Sequence, residues 1–412
     1  MKYHFKNLFQ HAFLGFVVAA LFGVNDTAMA ADEGVLLSSV LGTHGTKYED
    51  GGYTTNIRNP IDIPGINPFK TYAQNLSDFT GAVGAGKLNR YGTVVHLIYG
   101  GKFFSNVGPF LDAIKADGGA GYSQYVSDIY GLVKHRPNTI FQVGNEIQNQ
   151  YVSESFHLWL KDGLPGVSND LAVPPLYAKY WLGPMARGCK EQGCVIALGS
   201  IANVTSQAGL AFLDALLRYR FDATDGTYLS GKTVAQVVDY CAIQYTQTSA
   251  KWRAPKDLCR AYGLKTLNTE EVGAGAAERG LGMVSYLKSV GRCLDDAALY
   301  GQCTVYGWGS WIEPNSVNAG MPKLVAYVGN ERLFKAADVA ATGTGLEVYA
   351  LRVGTTNKRL LMITGGTLTG ITGATSGVVY VYSDAGIQEL PLTHIHVELG
   401  KTKTAYVEVT LN

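Results

Sequence analysis

Three apolar runs in this chain of 412 residues end in side chains that could do chemistry. Phe141-Gln142-Val143-Gly144 leads into Asn145-Glu146, and Leu267-Asn268-Thr269 leads into Glu270-Glu271. The third run, Tyr306-Gly307-Trp308-Gly309-Ser310-Trp311, carries two indoles at its end. Two carboxyl groups facing each other are what cleavage of a glycosidic bond requires. One protonates the leaving oxygen and the other attacks or supports the anomeric carbon, at a separation of about 5–5.5 Å in the retaining mechanism. Crowding two carboxyls raises the pKa of one, which keeps an acid protonated near neutral pH. An indole then offers an apolar face to the sugar ring.

Such residues must be held by elements that bring distant strand ends together. Short apolar runs recur at Thr93–Tyr99, Thr139–Val143, Cys194–Leu198, Val237–Gln244, Leu264–Thr269 and Cys303–Trp308. Helical patterns lie between them at Tyr122–Lys134, Pro175–Glu191, Ala208–Phe221 and Ala277–Gly291. Continuous apolar strands alternating with amphipathic helices predict a parallel sheet covered by helices. At this length the pattern closes as an α/β fold of the (β/α)8 TIM barrel type, whose reactive residues sit where strands end. Val35–Val40 is a candidate first strand, and the Gly/Asn/Pro-rich stretch from Gly51 to Pro68 hides any second.

Beyond about Ala341 the pattern changes. LEVYALRV, RLLMITGG, GVVYVYSD, HIHVELG and TAYVEVTL alternate and are punctuated by Gly, Thr and Asp-Ala-Gly. This predicts a small C-terminal antiparallel β-sandwich, completed in one version by a strand from the N-terminal segment. The expected division is a leader over 1–30, a barrel over 31–340 and a sandwich over 341–412. In the sandwich, His394 and His396 alternate on one strand and read as a partly exposed face.

The leader rests on Lys2 and Lys6, the uncharged apolar run Ala12–Val24 and Ala28-Met29-Ala30, which predict cleavage before Ala31 and export to a bacterial periplasm or the medium. Without it, 34 basic and 33 acidic residues become 32 and 32, because Lys2, Lys6 and Asp26 leave. A neutral surface argues against nucleic acid as a partner. No stretch approaches the roughly 20 apolar residues of a membrane span. All six cysteines lie between Cys189 and Cys303, and in an exported chain they predict disulfides. Nearest-neighbour pairing would join Cys189–Cys194, Cys241–Cys259 and Cys293–Cys303, one of several connectivities the count allows. No metal or other cofactor is implied.

In order, Asn145-Glu146 after a fourth strand and Thr269-Glu270 after a seventh resemble the clan A retaining glycoside hydrolases. The segment Pro175-Leu176-Tyr177-Ala178-Lys179-Tyr180-Trp181 is similar to family 39-like members. The resemblance spans roughly Thr93 to Trp311. It implies that Glu146 is the general acid/base, Glu270 the nucleophile and Asn145 a hydrogen-bond partner of the sugar 2-hydroxyl. It also implies that Trp308 floors the subsite and that Tyr245 touches the nucleophile from the sixth strand. Gln244 departs from the pattern, because many relatives carry His there.

Between the adjacent carboxylates, strand alternation favours Glu270. It puts Thr266, Asn268 and Glu270 on one face, suited to a barrel mouth, and Leu267, Thr269 and Glu271 on the helix side. Trp308 and Trp311 are three apart, so at most one faces the mouth if both are in a strand. His44 could line the site or be a turn histidine without a role. Tyr99-Gly100-Gly101-Lys102 could contact distal sugars or simply turn. The long loop Ile147–Val173, with Tyr151, Phe156 and Trp159, could wall a groove or pack a subdomain.

The expected activity is retaining hydrolysis of a polysaccharide or oligosaccharide, a bacterial exopolysaccharide among the candidates. Transglycosylation at the same site and a non-catalytic carbohydrate-binding barrel are the alternatives.

Overall fold

The computed structural model describes residues 34–44, 56–61, 93–98, 139–144, 146–147, 174–175, 177–189, 193–201, 204–245, 250–271, 279–300, 303–306, 320–383 and 385–412. It opens with β1 (Val35–Leu36), one helical turn α1 (Leu37–Val40) and β2 (Leu41–His44). The run Val35–Val40, expected as a first barrel strand, is therefore split. Its start pairs antiparallel with a later strand, β10 (Arg332–Lys335), and the parallel sheet begins only at β2.

Seven further parallel strands follow: β3 (Asn56–Ile61), β4 (Thr93–Ile98), β5 (Thr139–Val143), β6 (Val195–Ala197), β7 (Tyr240–Gln244), β8 (Lys265–Glu270) and β9 (Val305–Tyr306). Each pairs with the next, and β9 pairs back with β2, so the eight close on themselves. The second strand is Asn-Ile-Arg-Asn-Pro-Ile, whose Pro60 lies opposite Leu97. Pro and Asn signal turns rather than strands, which is why the sequence conceals it.

Helices pack on the outside of this ring where they are described. A π-helical turn (Ala178–Leu182) runs into α2 (Gly183–Cys189), and α3 spans Gln207–Arg218, α4 Ala254–Ala261 and α5 Arg279–Tyr300. Ser206 caps α3 by accepting from the Gly209 amide at 3.0 Å. Leu213, Leu216 and Leu217 of α3 are fully buried against Phe141, Val143, Ile196 and Ile243, each such side chain contributing roughly 1.5–3 kcal/mol. Pro255 opens α4, and Gly263, at φ +76, lets the chain leave it. The six cysteines form Cys189–Cys194, Cys241–Cys259 and Cys293–Cys303. The second fastens α4 to β7, and the third fastens α5 to the segment entering β9.

A seven-stranded antiparallel sheet follows in the order β1-β10-β12-β13-β18-β15-β16. Its remaining strands are β12 (Glu347–Val353), β13 (Lys358–Thr364), β15 (Ser376–Ser383), β16 (Gly386–Pro391) and β18 (Thr404–Thr410). A second sheet holds β11 (Ala340–Thr344), β14 (Thr367–Thr372) and β17 (Val397–Glu398). The larger sheet takes in β10, which precedes residue 341. Leu361 and Ile363 of β13 pack with Leu368 and Val397 of the smaller sheet. Leu360 and Met362, one residue out of phase, pack on Leu287, Val290 and Leu294 of α5. The run Leu360–Ile363 is apolar throughout because β13 is buried on both faces. His394 and His396 are exposed.

Charge ties this sheet to α5. Arg292 donates to both Glu347 oxygens, at 2.9 and 3.1 Å, and Lys288 adds a contact of 2.9 Å. Partial burial raises the Glu347 pKa, but the hydrogen bonds from Arg292, Tyr349 and Lys288 outweigh it and hold the group down to about 2. A depressed carboxylate contributes stability above its unfolded pKa and loses it as pH falls through the folded one. Acid unfolding is therefore expected to be steeper in the parent than in Glu347→Gln from about pH 5 to about pH 2, by on the order of 2 kcal/mol after solvent screening. Parallel melting curves over that range would show that Glu347 has no such part.

Candidate active site at the strand ends

The ring is filled by Val95, Ile140, Ala197 and Leu267, contributed by four different strands, of which β8 is not a neighbour of the other three. Leu267 therefore points inward, which corrects the expectation that its face meets the helices. Its partner across β7 is Ala242, and Ile243 faces Asn268. Cys241 and Ile243 pack with Cys259 on the helix side, so Ala242 and Gln244 point inward.

Strict alternation would now turn Glu270 outward. Instead, the register slips by one residue, and Gln244 pairs with Glu270 rather than with Thr269. The extra residue, Thr269, is a β-bulge that re-aims everything after it. Glu270 is returned to the inner face beside Gln244, while Asn268 and Glu271 associate by a hydrogen bond from the Asn268 amide to Glu271 Oε1.

The Glu270 carboxylate is buried, at 4% exposure. Gln244 Nε2 donates to its Oε2 at 3.2 Å, and the Tyr245 hydroxyl donates to its Oε1. The Tyr245 amide also donates to the Glu270 carbonyl at 3.0 Å, locking the two strand ends together.

Glu146 stands just beyond β5 and is half-buried. Gly144, at φ +95, turns the chain out of the strand. The Glu146 amide donates to Ser200 Oγ at 3.0 Å, and the Ile147 amide donates to the Ser200 carbonyl at 3.0 Å. Buried Tyr177 spans the same gap, donating to the Val143 carbonyl and accepting from the Gly199 amide at 2.9 Å. Burial pushes its phenol up, against the opposing Gly199 bond. A Cβ on Gly199 would lie 2.5 Å from the Val143 carbonyl oxygen, so only glycine fits between these strand ends.

Glu146 and Tyr245 have φ of 46 and 50, and His394 is the one other non-glycine residue with positive φ among those described. Such backbone costs roughly 1–3 kcal/mol and gathers where surrounding structure must hold a reactive group. Two of the three instances fall on the predicted site.

The structure thus brings Gln244, Tyr245 and Glu270 into contact, places Glu146 after β5 and ends β2 at His44. Asn145, Trp308, Trp311, Tyr99–Lys102 and all of the Ile147–Val173 loop except Ile147 lie outside the described residues, as does the expected leader. Ser200 and Tyr177 were not anticipated. Ser200 follows the Cys194–Leu198 run after a single residue, Gly199, so the strand-end rule that found the glutamates also points to it. Among the described residues no His, Cys, Asp and Glu side chains gather as metal ligands. No described helix is long and apolar enough to cross a membrane.

No protein-family model matches the chain, and no curated protein sequence matches it. Solved structures do. A 4-O-alpha-L-rhamnosyl-beta-D-glucuronidase from Fusarium oxysporum 12S aligns over 91% of this chain and 97% of its own, at 12% identity and a TM-score of 0.47. A glucosidase from Croceicoccus marinus aligns over 93% of this chain and 98% of its own, at 12% identity and a TM-score of 0.50. At that identity the likeness is one of architecture: this chain has a fold similar to that of the Croceicoccus glucosidase.

Proposed function

We propose that this protein is a retaining glycoside hydrolase of the clan A type, on a (β/α)8 barrel backed by a C-terminal sandwich. The observation that carries the reading is the buried Glu270 carboxylate at the end of β8, supplied with donors by Gln244, the last residue of β7, and by Tyr245, which follows it. Donors to both oxygens stabilise negative charge and aim the carboxylate, as attack on carbon requires. Glu146, three strands earlier in the ring, is the acid/base partner.

In the first step, a Glu270 oxygen bonds the anomeric carbon as the glycosidic C–O bond breaks, and Glu146 gives its proton to the leaving oxygen. In the second, Glu146 takes a proton from water, whose oxygen displaces Glu270 and restores both groups. Asn145 would hold the sugar 2-hydroxyl, Trp308 or Trp311 would floor the subsite, and His44 would line the mouth. The substrate is a polysaccharide or oligosaccharide. Family 39-like membership rests on the Pro175–Trp181 segment, and export on the leader and the three disulfides.

The test is incubation with a panel of fluorinated mechanism-based glycosides, followed by intact mass and peptide mapping. One adduct on Glu270 is the expected result and also indicates the sugar. An adduct on another carboxylate removes the assignment. No adduct from any glycoside, joined by unchanged polysaccharide with both parent and Glu146→Gln, would favour the carbohydrate-binding scaffold.

A further inference from the structure

Pairing between β5 and β6 ends at Gln142 and Ala197, short of Glu146. Beyond that point side chains take over the joining of the two strand ends. The Tyr177 hydroxyl accepts from the Gly199 amide at 2.9 Å and donates to the Val143 carbonyl, bridging the gap where the strands part. Room for it exists because residue 199 is glycine: a Cβ there would lie 3.0 Å from the Tyr177 oxygen and 2.6 Å from Ile147 Cγ2. Ser200 makes the next contacts. Its Oγ accepts from the Glu146 amide and its carbonyl from the Ile147 amide, both at 3.0 Å. Gln142, fully buried, donates through Nε2 to the Gly144 carbonyl at 2.9 Å and steadies the turn from below.

We propose that Tyr177 and Ser200 are positioning residues for the acid/base: their two hydroxyls hold the Glu146 backbone in its left-handed conformation and so set where its carboxyl group stands. This rests on the reading of Glu146 as the acid/base. At φ 46, Glu146 occupies a region that residues other than glycine leave unless their surroundings hold them there. A return to the ordinary negative φ would rotate the Cα–Cβ bond by about 100° and carry the carboxyl group out of place. Tyr177 acts through backbone alone, because it is fully buried in the core with Val143, Ile147 and Leu198. Burial also pushes its phenol up, so the latch keeps its proton at any working pH. The π-helical turn Ala178–Leu182 follows Tyr177 directly, and such turns are kept mostly at functional sites. The Pro175–Trp181 segment thereby gains a part in the chemistry without touching the substrate.

Tyr177→Phe and Ser200→Ala, made in the full chain, each delete one oxygen. The probes are the 2,4-dinitrophenyl and phenyl glycosides of the sugar that labels the parent. Dinitrophenolate leaves without an acid, whereas the phenyl glycoside needs a proton on its leaving oxygen. In both variants the single-turnover rate on the phenyl glycoside is expected to fall by on the order of 10²-fold, as for a catalytic group displaced by about 1 Å. On the dinitrophenyl glycoside it should fall by less than about 3-fold, since that step bypasses Glu146. A group that served the fold alone would lower both rates together or neither. Arg359→Met, which breaks the pair with Asp338 in the distant sheet, should lose melting temperature and keep both rates. Equal losses on the two glycosides, or no loss on either, would overturn the proposal. If Glu146→Gln itself shows no dependence on the leaving group, the acid/base reading fails instead, a separate result.

A crystal structure of Ser200→Ala gives a readout that needs no activity, and it is the test if no glycoside labels the parent. A Glu146 backbone returned to negative φ supports the proposal, and one retained at its parent value overturns it. If Tyr177→Phe does not fold, Ser200→Ala carries both measurements alone.

Discussion

Glu270→Gln is expected to lower turnover of an aryl glycoside by a factor on the order of 10⁴ or more, because an amide cannot form the glycosyl ester. Glutamine keeps the volume and can keep both partners, its amide oxygen accepting from Gln244 and its NH2 donating to the Tyr245 hydroxyl, which accepts as well as donates. The fold should survive, because α4 and β7 remain joined by a disulfide and the ring is filled by Leu267 and its neighbours. Glu270→Gly opens a space that a small anion can fill. Added azide is expected to restore turnover of an activated substrate and to give a glycosyl azide of inverted configuration. Glu271→Gln, one residue on, should cost only on the order of 10- to 10²-fold, the scale of misplacement rather than of lost chemistry. Azide should not rescue it. Equal losses in the two variants, or azide rescue of Glu271→Gly instead, would transfer the nucleophile role to Glu271.

The pairing of those two glutamates shows how far the residues alone could speak. Strand ends carrying Asn-Glu and Glu-Glu were visible because apolar runs ended in carboxylates. The choice of Glu270 rested on strict alternation, with Leu267 assigned to the helix side. Leu267 lies inside, and Glu270 faces inward only because Thr269 is an inserted residue. A bulge leaves no trace in hydrophobic periodicity, since it depends on the register of the partner strand. The same limit hid β3, whose Asn-Pro pair reads as a turn. It also joined Val35–Val40 into one strand where the chain divides between two sheets. Local pattern found the helices α3 and α5 and the cysteine neighbours, which depend on short-range spacing. The latch of Ser200 and Tyr177 joins residues far apart in sequence and required the folded ring to be seen.

For Glu146 the decisive experiment varies the leaving group. Glu146→Gln is expected to lose on the order of 10²–10⁴ in rate on a substrate whose leaving oxygen needs a proton. On a dinitrophenyl glycoside the first step needs no acid, so glycosylation should stay fast and the covalent intermediate should accumulate. Azide then replaces the water that Glu146 would have activated, and the product is a glycosyl azide of retained configuration. The opposite stereochemical outcomes of rescue at Glu270 and Glu146 separate the two roles in one pair of assays. Equal loss on good and poor leaving groups would remove Glu146 from acid catalysis. The backbone supplies a second, independent expectation. Glu146 is held at φ 46 by bonds to Ser200 from its own amide and that of Ile147. A left-handed backbone costs a non-glycine residue roughly 1–2 kcal/mol. Glu146→Gly relieves that strain while adding freedom to the unfolded chain, so stability should hold or rise by up to about 1 kcal/mol even as activity vanishes. A marked fall in melting temperature for Glu146→Gly would mean that the side chain serves the fold, and that its unusual backbone is not the cost of holding an acid in place.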